Sequence, residues 1–159
     1  MTSKVLPKDW LEHTVQVEVP YSISETWGLW SDLRTMPKWM KWIQAVRVVP
    51  ETPDISYWEL GANGFTFTWK ARILKQIPQQ IIQWESIGGL KNRGAVRFYQ
   101  RPQGTIVKLS IAYAIPGGIG QLMDSLFLGN IVESTLQADL DRFRDYAKRA
   151  LNQPTKSVP

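Results

Sequence analysis

Apolar and polar side chains alternate along the chain from Gly61 to Ile115, and this alternation predicts a run of β-strands. The clearest case is residues 65–73, where Phe65, Phe67 and Trp69 are separated by polar or basic residues. A period of two places these rings on one face of a strand and the polar residues on the other. The same signal, bounded by Pro and Gly turns, predicts further strands at residues 13–19, 45–49, 56–60, 80–87, 95–101 and 105–115.

Helical patterns interrupt and then close this series of strands. Ser22 and Glu25 have the spacing of a capping box, so a short helix is predicted from Ile23, and Pro37 breaks the stretch after it. From Gly118 to Leu151 the pattern is helical, and we expect Gly129 to kink or divide this long helix. Its apolar stripe consists of Val132, Leu136, Leu140, Phe143, Ala147 and Leu151.

These elements together predict an α+β fold. A curved antiparallel sheet of about seven strands wraps around the long C-terminal helix, and one or two short helices follow the first strand. Because the aromatic face of the sheet then turns toward the helix, the interior is either a solid core or an apolar cavity. Apolar cavities with a few polar groups are the usual binding sites of small molecules, so we expect a hydrophobic ligand if the interior is hollow.

Composition narrows the class of protein. A chain of 159 residues is the size of one domain, and the absence of cysteine excludes disulfides and thiolate metal sites. The first thirteen residues lack the apolar stretch of a signal peptide, and no apolar run reaches the length of a membrane span. We therefore expect a cytoplasmic protein. No metal-ligand cluster is evident, and His13 is interpreted as structural or solvated rather than as a base.

The positive charge belongs mainly to the sheet. Between Leu60 and Met123 the chain has eight basic residues and one acidic residue, Glu85, for which we favour a cross-strand ion pair with Arg97 or Arg72 over catalysis. Strand parity points the basic residues away from the aromatic face. Such a face attracts anionic lipid by roughly 1 kcal/mol per base, although a merely solubilising role is equally simple. The candidates for a membrane face are Lys38, Lys41, Lys70, Arg72, Arg97 and Lys108.

Nucleic acid is not expected as a partner. Proteins that bind single strands interleave stacking rings with basic residues on one surface. Here the alternation sends the rings inward and the bases outward, so the two do not share a surface.

Several local patterns in this order resemble one known superfamily. They are Val19-Pro20 before the capped helix, Ser31-Asp32-Leu33 followed by residues 36–40, Trp84-Glu85-Ser86, and residues 94–98 and 139–143. Over about residues 13–150 the chain resembles the polyketide cyclase/dehydrase and lipid-transport superfamily (START-like, SRPBCC or helix-grip), near its coenzyme Q-binding branch. The resemblance implies a START-like ligand-binding domain at residues 13–151, preceded by an N-terminal arm at 1–12. We expect the tail at 152–159 to be disordered, and we expect no cofactor.

Members of this superfamily bind hydrophobic ligands between sheet and helix, and some are aromatases or cyclases. The first hypothesis is therefore a non-catalytic binder or carrier of a lipid, an isoprenoid quinone or a polyketide-like compound. The ligand would reach the interior between residues 36–42 and 118–128. The predicted ligand-binding residues are Trp30, Met36, Trp39, Met40, Trp58, Phe65, Phe67, Trp69, Trp84, Phe98, Tyr113, Leu122, Leu126, Val132 and Leu136.

Two other hypotheses remain open. One is an aromatase/cyclase-type enzyme, for which Tyr113, Ser86 and Tyr57 are generic catalytic candidates in the absence of any recognisable catalytic set. The other is a peripheral membrane protein that uses the basic face of the sheet.

Overall fold

The computed structural model describes residues 6–7, 9–62, 64–120 and 124–152. In these residues seven strands form one antiparallel sheet in the order β1-β7-β6-β5-β4-β3-β2, which confirms the predicted curved sheet. Each strand after β2 pairs with its sequence neighbour, and β1 closes the other edge against β7. The strands are β1 (Trp10–Val19), β2 (Ile43–Val49), β3 (Thr52–Ala62), β4 (Phe65–Ile77), β5 (Ile81–Gly89), β6 (Asn92–Arg101) and β7 (Gly104–Ala114).

Helices occupy the two places that the sequence predicts. After β1 come α1 (Ile23–Ser31) and a 3₁₀ helix (Leu33–Lys38); after β7 come α2 (Gly117–Gly120) and the long α3 (Ser125–Leu151). The predicted capping box is present, because the Glu25 amide donates to Ser22 Oγ and the Glu25 carboxylate accepts from the Ser22 amide. This arrangement is a helix-grip fold, in which the sheet curves around α3.

The long helix differs from its prediction in two ways. It begins at Ser125 rather than as part of one helix from Gly118, because Asp124 caps it by accepting the Phe127 amide at 2.7 Å. It also runs through Gly129 as one helix, so the expected division at this residue is absent. A Cβ at Gly129 would lie 3.6 Å from Cε1 of His13, so this position lies close against β1.

The first strand is longer than predicted, and the last helix ends where the predicted tail begins. The first strand begins at Trp10, three residues before the predicted start at His13. Asn152 closes α3 by donating its amide to Lys148 O at 3.0 Å. The rest of the predicted disordered tail lies outside the described residues.

Irregular pairing between β4 and β5 helps to bend the sheet. The register shifts at two places, and each shift leaves one residue without a partner, Leu74 in β4 and Ile87 in β5. Such bulges increase the local twist and bend of the strand that carries them. Both unpaired residues are exposed, so the two bulges place large apolar side chains toward solvent rather than toward α3.

One part of the interior is a solid core. Trp30, Trp39 and Phe143 form a cluster in which every pair of ring centres is 4.7–5.0 Å apart, at tilted or edge-on angles. Leu140, Val107 and Val19 are fully buried beside them. Trp39 is 1% exposed, and its ring packs between Trp30 of α1 and Phe143 of α3.

Candidate ligand-binding cavity

A cavity of about 250 Å³ occupies the rest of the interior. Its wall is almost wholly apolar and comes from the inner face of the sheet, the 3₁₀ segment and the N-terminal half of α3. An interior this empty is unusual, because protein cores are normally packed as densely as organic crystals. The predicted residues that line it are Trp30, Met36, Met40, Trp58, Phe65, Phe67, Trp69, Trp84, Tyr113, Val132 and Leu136.

Three of the predicted residues that the structure describes are not at the cavity wall, and a fourth is not described. Trp39 and Phe98 belong to the solid core, where Phe98 contacts Trp27 edge-on at 5.2 Å between ring centres. Leu126 is 75% exposed, because α3 begins later than predicted and its first turn presents this residue to solvent. Leu122 lies outside the described residues.

The structure adds lining residues that the sequence prediction omitted. Leu109 and Ile111 share the inward parity of Tyr113 on β7, and Ile73 shares that of Trp69 on β4, so strand alternation alone could have identified them. Trp42 also lines the cavity.

Flat aromatic surfaces form much of the wall. Trp58 and Trp69 face each other across β3 and β4, and their rings stack at 5.7 Å with an angle of 7°. Phe65 and Phe67 stack in the same way at 6.2 Å. Ring faces of this kind suit a planar or extended apolar molecule.

Gly94 leaves the space that the Trp84 ring occupies at the cavity wall. A Cβ at Gly94 would lie 2.5 Å from the ring of Trp84 and 2.5 Å from the Ser110 carbonyl oxygen. Only glycine leaves space for Trp84 to cross β6 and reach the cavity wall.

Most polar groups at the wall are already paired within the protein. The Trp58 indole N–H donates to Ser56 Oγ at 2.7 Å, and the Trp84 indole N–H donates to Asn92 Oδ1 at 3.1 Å. Asn92 also donates from Nδ2 to Leu90 O at 2.9 Å. These hydrogen bonds make the tryptophan edges compatible with a dry cavity.

Tyr113, a tyrosine at the cavity wall, is hydrogen-bonded to another titratable side chain. Its hydroxyl lies 3.0 Å from His13 Nε2, and His13 Nδ1 lies 3.3 Å from Glu133 Oε1. The imidazole and phenol rings stack at 5.6 Å. Burial raises the pKa of the Tyr113 phenol above its usual range. His13 is itself buried and therefore belongs to a chain of polar side chains that the sequence prediction did not include.

The other two catalytic candidates lie elsewhere. Ser86 is not at the cavity wall; its Oγ accepts the Asn92 amide at 3.0 Å. Tyr57 lies on the outer face of the sheet, with the Arg47 guanidinium 4.3 Å and the Lys70 ammonium 5.6 Å from its ring centre. Of the three candidates, Tyr113 alone lines the cavity.

A second polar network fixes the segment after the 3₁₀ helix to α3. The buried Asp139 carboxylate accepts the Lys41 amide at 3.0 Å and pairs with Arg142, whose Nε donates to Trp39 O at 3.0 Å. Burial raises the pKa of the Asp139 carboxyl, while its contacts with Lys41 and Arg142 oppose that rise. This network holds one wall of the cavity against the helix.

The basic residues occupy the outer face of the sheet, as strand parity predicts. Arg97 stands opposite Lys108, and Arg72 stands opposite Glu85. Within the described residues Glu85 has no ion pair within 4 Å, so the expected bridge to Arg97 or Arg72 is not formed. Lys38 and Lys41 are exposed. A membrane role for these residues remains a prediction.

Comparison with known proteins agrees with this architecture. Residues 19–143 match the family described as polyketide cyclase / dehydrase and lipid transport, so the chain belongs to that family. An uncharacterized 17.2 kDa protein of Streptomyces lincolnensis is 25% identical over 138 residues, which are 86% of this chain and 87% of that protein.

Solved structures share the helix-grip fold at low sequence identity. A protein from Thermus thermophilus aligns with a TM-score of 0.76 and 18% identity, over 88% of this chain and 99% of its own. The Zhui aromatase/cyclase from Streptomyces aligns with a TM-score of 0.74 and 16% identity, over 94% and 99%. A START superfamily protein from Mycobacterium smegmatis aligns with a TM-score of 0.68 and 13% identity, over 87% and 98%.

Two kinds of feature are absent from the part of the chain that the structure describes. No helix there combines the length and apolarity needed to span a bilayer. No group of three or more His, Cys, Asp or Glu side chains is arranged to hold a metal ion among the residues described.

Proposed function

We propose that this protein binds a hydrophobic small molecule in the cavity between the sheet and the N-terminal half of α3. The observation that carries the proposal is the cavity itself, about 250 Å³ of space with an apolar, aromatic wall in a chain otherwise well packed. Family membership supports it, because the family description includes lipid transport. The finer ligand classes considered from the sequence are a lipid, an isoprenoid quinone and a polyketide-like compound.

A cavity-filling substitution tests this proposal. Val132 lines the cavity from α3, so Val132→Phe places a ring in the space that the ligand would occupy. The matched control is Leu126→Phe on the same helix, because Leu126 is 75% exposed and outside the wall. The probe is N-phenyl-1-naphthylamine, a neutral fluorophore whose emission rises in apolar sites.

We expect Val132→Phe to weaken probe binding by about tenfold or more and Leu126→Phe to leave it unchanged. Equal effects of the two variants would place the probe on the surface and count against the cavity. Native mass spectrometry of protein purified from its own host, followed by extraction, would then identify the bound molecule.

An aromatase/cyclase-type activity is the second candidate. It is favoured by the chain of titratable groups that ends at Tyr113 on the cavity wall. This candidate predicts that Tyr113→Phe removes turnover of a poly-β-ketone substrate while the protein remains folded, which a thermal melt verifies. Unchanged turnover in that variant would reject Tyr113 as the catalytic group.

A further inference from the structure

The three side chains Tyr113, His13 and Glu133 connect the cavity wall with solvent. We call them the Tyr-His-Glu chain. The side chain of His13 is 7% exposed, whereas that of Glu133 is 58% exposed, so the chain begins at the surface of α3 and ends inside. The residues come from β7, β1 and α3, and β1 and β7 are neighbours in the sheet.

The acidic end of the chain decides the direction of its hydrogen bonds. An ionised carboxylate only accepts hydrogen bonds, so His13 Nδ1 must carry the proton that it shares with Glu133. In a neutral imidazole the other nitrogen then has a lone pair, and His13 Nε2 accepts the hydrogen of the Tyr113 hydroxyl. The Tyr113 oxygen is left with lone pairs and no hydrogen for any other partner.

The residues around Tyr113 make the direction of its hydrogen bond to His13 important for a ligand. Asn92, opposite Tyr113 on β6, accepts from the Trp84 indole at Oδ1 and donates from Nδ2 to Leu90 O. Ser56 lies on β3, and three strands separate it from Tyr113 on β7. Stacking against the imidazole fixes the orientation of the Tyr113 ring. In an apolar cavity, a ligand oxygen that meets lone pairs without a hydrogen to share loses its hydration and gains no partner.

We infer that Tyr113 presents a hydrogen-bond acceptor to the cavity, and that the ligand is a hydrophobic molecule with a hydroxyl group, such as a phenol or enol. A ligand oxygen that lies at Tyr113 and can only accept is disfavoured. His13 and Glu133 are positioning residues, because they act on the ligand through the Tyr113 hydroxyl. This inference rests on the proposed function and adds the chemistry that the site selects.

A matched pair of probes measures the selectivity. They are 2-naphthol, which donates a hydrogen bond, and 2-methoxynaphthalene, which has the same rings and can only accept. The measured quantity is the selectivity ratio, defined as the dissociation constant of the ether divided by that of the naphthol. We expect Tyr113→Phe to lower this ratio roughly three- to tenfold, the factor that one net hydrogen bond supplies. Tyr57→Phe is the control and leaves the ratio unchanged, because Tyr57 lies on the outer face.

Substitutions at Glu133 separate positioning from packing. Glu133→Gln keeps an oxygen that accepts from His13 Nδ1, so its selectivity ratio stays within about twofold of the original. Glu133→Lys has no acceptor and offers an ammonium donor to His13 Nδ1 instead. The neutral imidazole then carries its proton on Nε2, which donates to the Tyr113 oxygen. The Tyr113 hydrogen is then free for the ligand, and the ratio falls at least as far as in Tyr113→Phe. Glu133 is largely exposed, so neither change should affect folding, which a thermal melt verifies.

The outcomes distinguish the two levels of the proposal. If neither naphthalene nor N-phenyl-1-naphthylamine binds, the binding function itself fails. If both naphthalenes bind with the same selectivity ratio in the original protein, Tyr113→Phe and Glu133→Lys, only the inference about the hydroxyl is overturned. A lower ratio in Tyr113→Phe and Glu133→Lys, with Glu133→Gln and Tyr57→Phe unchanged, supports it.

Discussion

At one end of the interior, α1 and the C-terminal half of α3 pack against the sheet without leaving space. At the other end, the N-terminal half of α3 and the strands from β3 to β7 enclose a cavity. Leu140, Phe143 and Ala147 are fully buried in the first region, whereas Val132 and Leu136 on the same helix line the second. Both regions are rich in aromatic rings, so aromatic content does not distinguish core from cavity.

The difference lies in what faces the sheet. In the solid region α1 and the 3₁₀ segment supply Trp30 and Trp39, whose rings meet Phe143 at 5.0 and 4.9 Å. In the hollow region the rings stack in parallel on the inner face of the sheet, as Trp58 of β3 does on Trp69 of β4, and no side chain fills the space opposite them. Side chains such as Trp30 and Trp39, which lie between the sheet and α3, therefore fill the first region. Without such a layer the second region is a cavity.

The largest expected effect compares one phenylalanine from each region. Phe143→Ala opens a void in a packed core and should reduce the free energy of unfolding by about 3–5 kcal/mol. Phe67→Ala removes a half-buried ring from the wall of an existing cavity, so its cost should stay below about 2 kcal/mol. Urea denaturation measures both, with the Leu variants as milder substitutes if Phe143→Ala does not fold. Equal costs would mean that the cavity is filled and stabilised like the core.

A smaller effect is expected at the ring that crosses β6. Gly94→Ala places a methyl group 2.5 Å from Trp84 and from the Ser110 carbonyl oxygen, so it should destabilise by about 1–3 kcal/mol and weaken probe binding. The control is Gly28→Ala in α1, where nothing lies within 4 Å of the added Cβ. That change should stabilise by about 0.5–1 kcal/mol, because alanine favours helix. A neutral Gly94→Ala would show that Trp84 moves freely at the wall.

The smallest expected effect tests whether water reaches the Tyr113 hydroxyl in the cavity. Burial raises the pKa of Tyr113 above the ordinary phenol value of about 10. A group with a raised folded pKa contributes stability that is complete below its unfolded pKa and is lost as the pH rises toward the folded pKa. Between pH 9 and 11 the protein should therefore lose roughly 1 kcal/mol of stability that Tyr113→Phe does not lose. Urea denaturation at several pH values measures this difference, with Tyr57→Phe as the control. Parallel pH profiles for the original protein and Tyr113→Phe would indicate a solvated Tyr113.

Much of the site's composition follows from the sequence alone. Alternation at Phe65, Phe67 and Trp69 assigns an inner face to β4, because a pleated strand has only two faces. Alternation along β7 places Tyr113 on the inner face of that strand in the same way. The spacing of Ser22 and Glu25 fixes the start of α1 through local hydrogen bonds. These features depend on residues close together in the chain, so a pattern of two or four positions is enough to predict them.

Tertiary structure decided which inward residues border empty space. Phe98 has the same inward parity as Trp69, yet it is packed by Trp27 because α1 folds over that end of the sheet. The Tyr-His-Glu chain joins residues separated by 100 and 120 positions, and its hydrogen bonds exist only because β1 pairs with β7 and α3 lies close against β1. Local periodicity determines the face on which a side chain lies, whereas contacts between distant elements determine what it meets there.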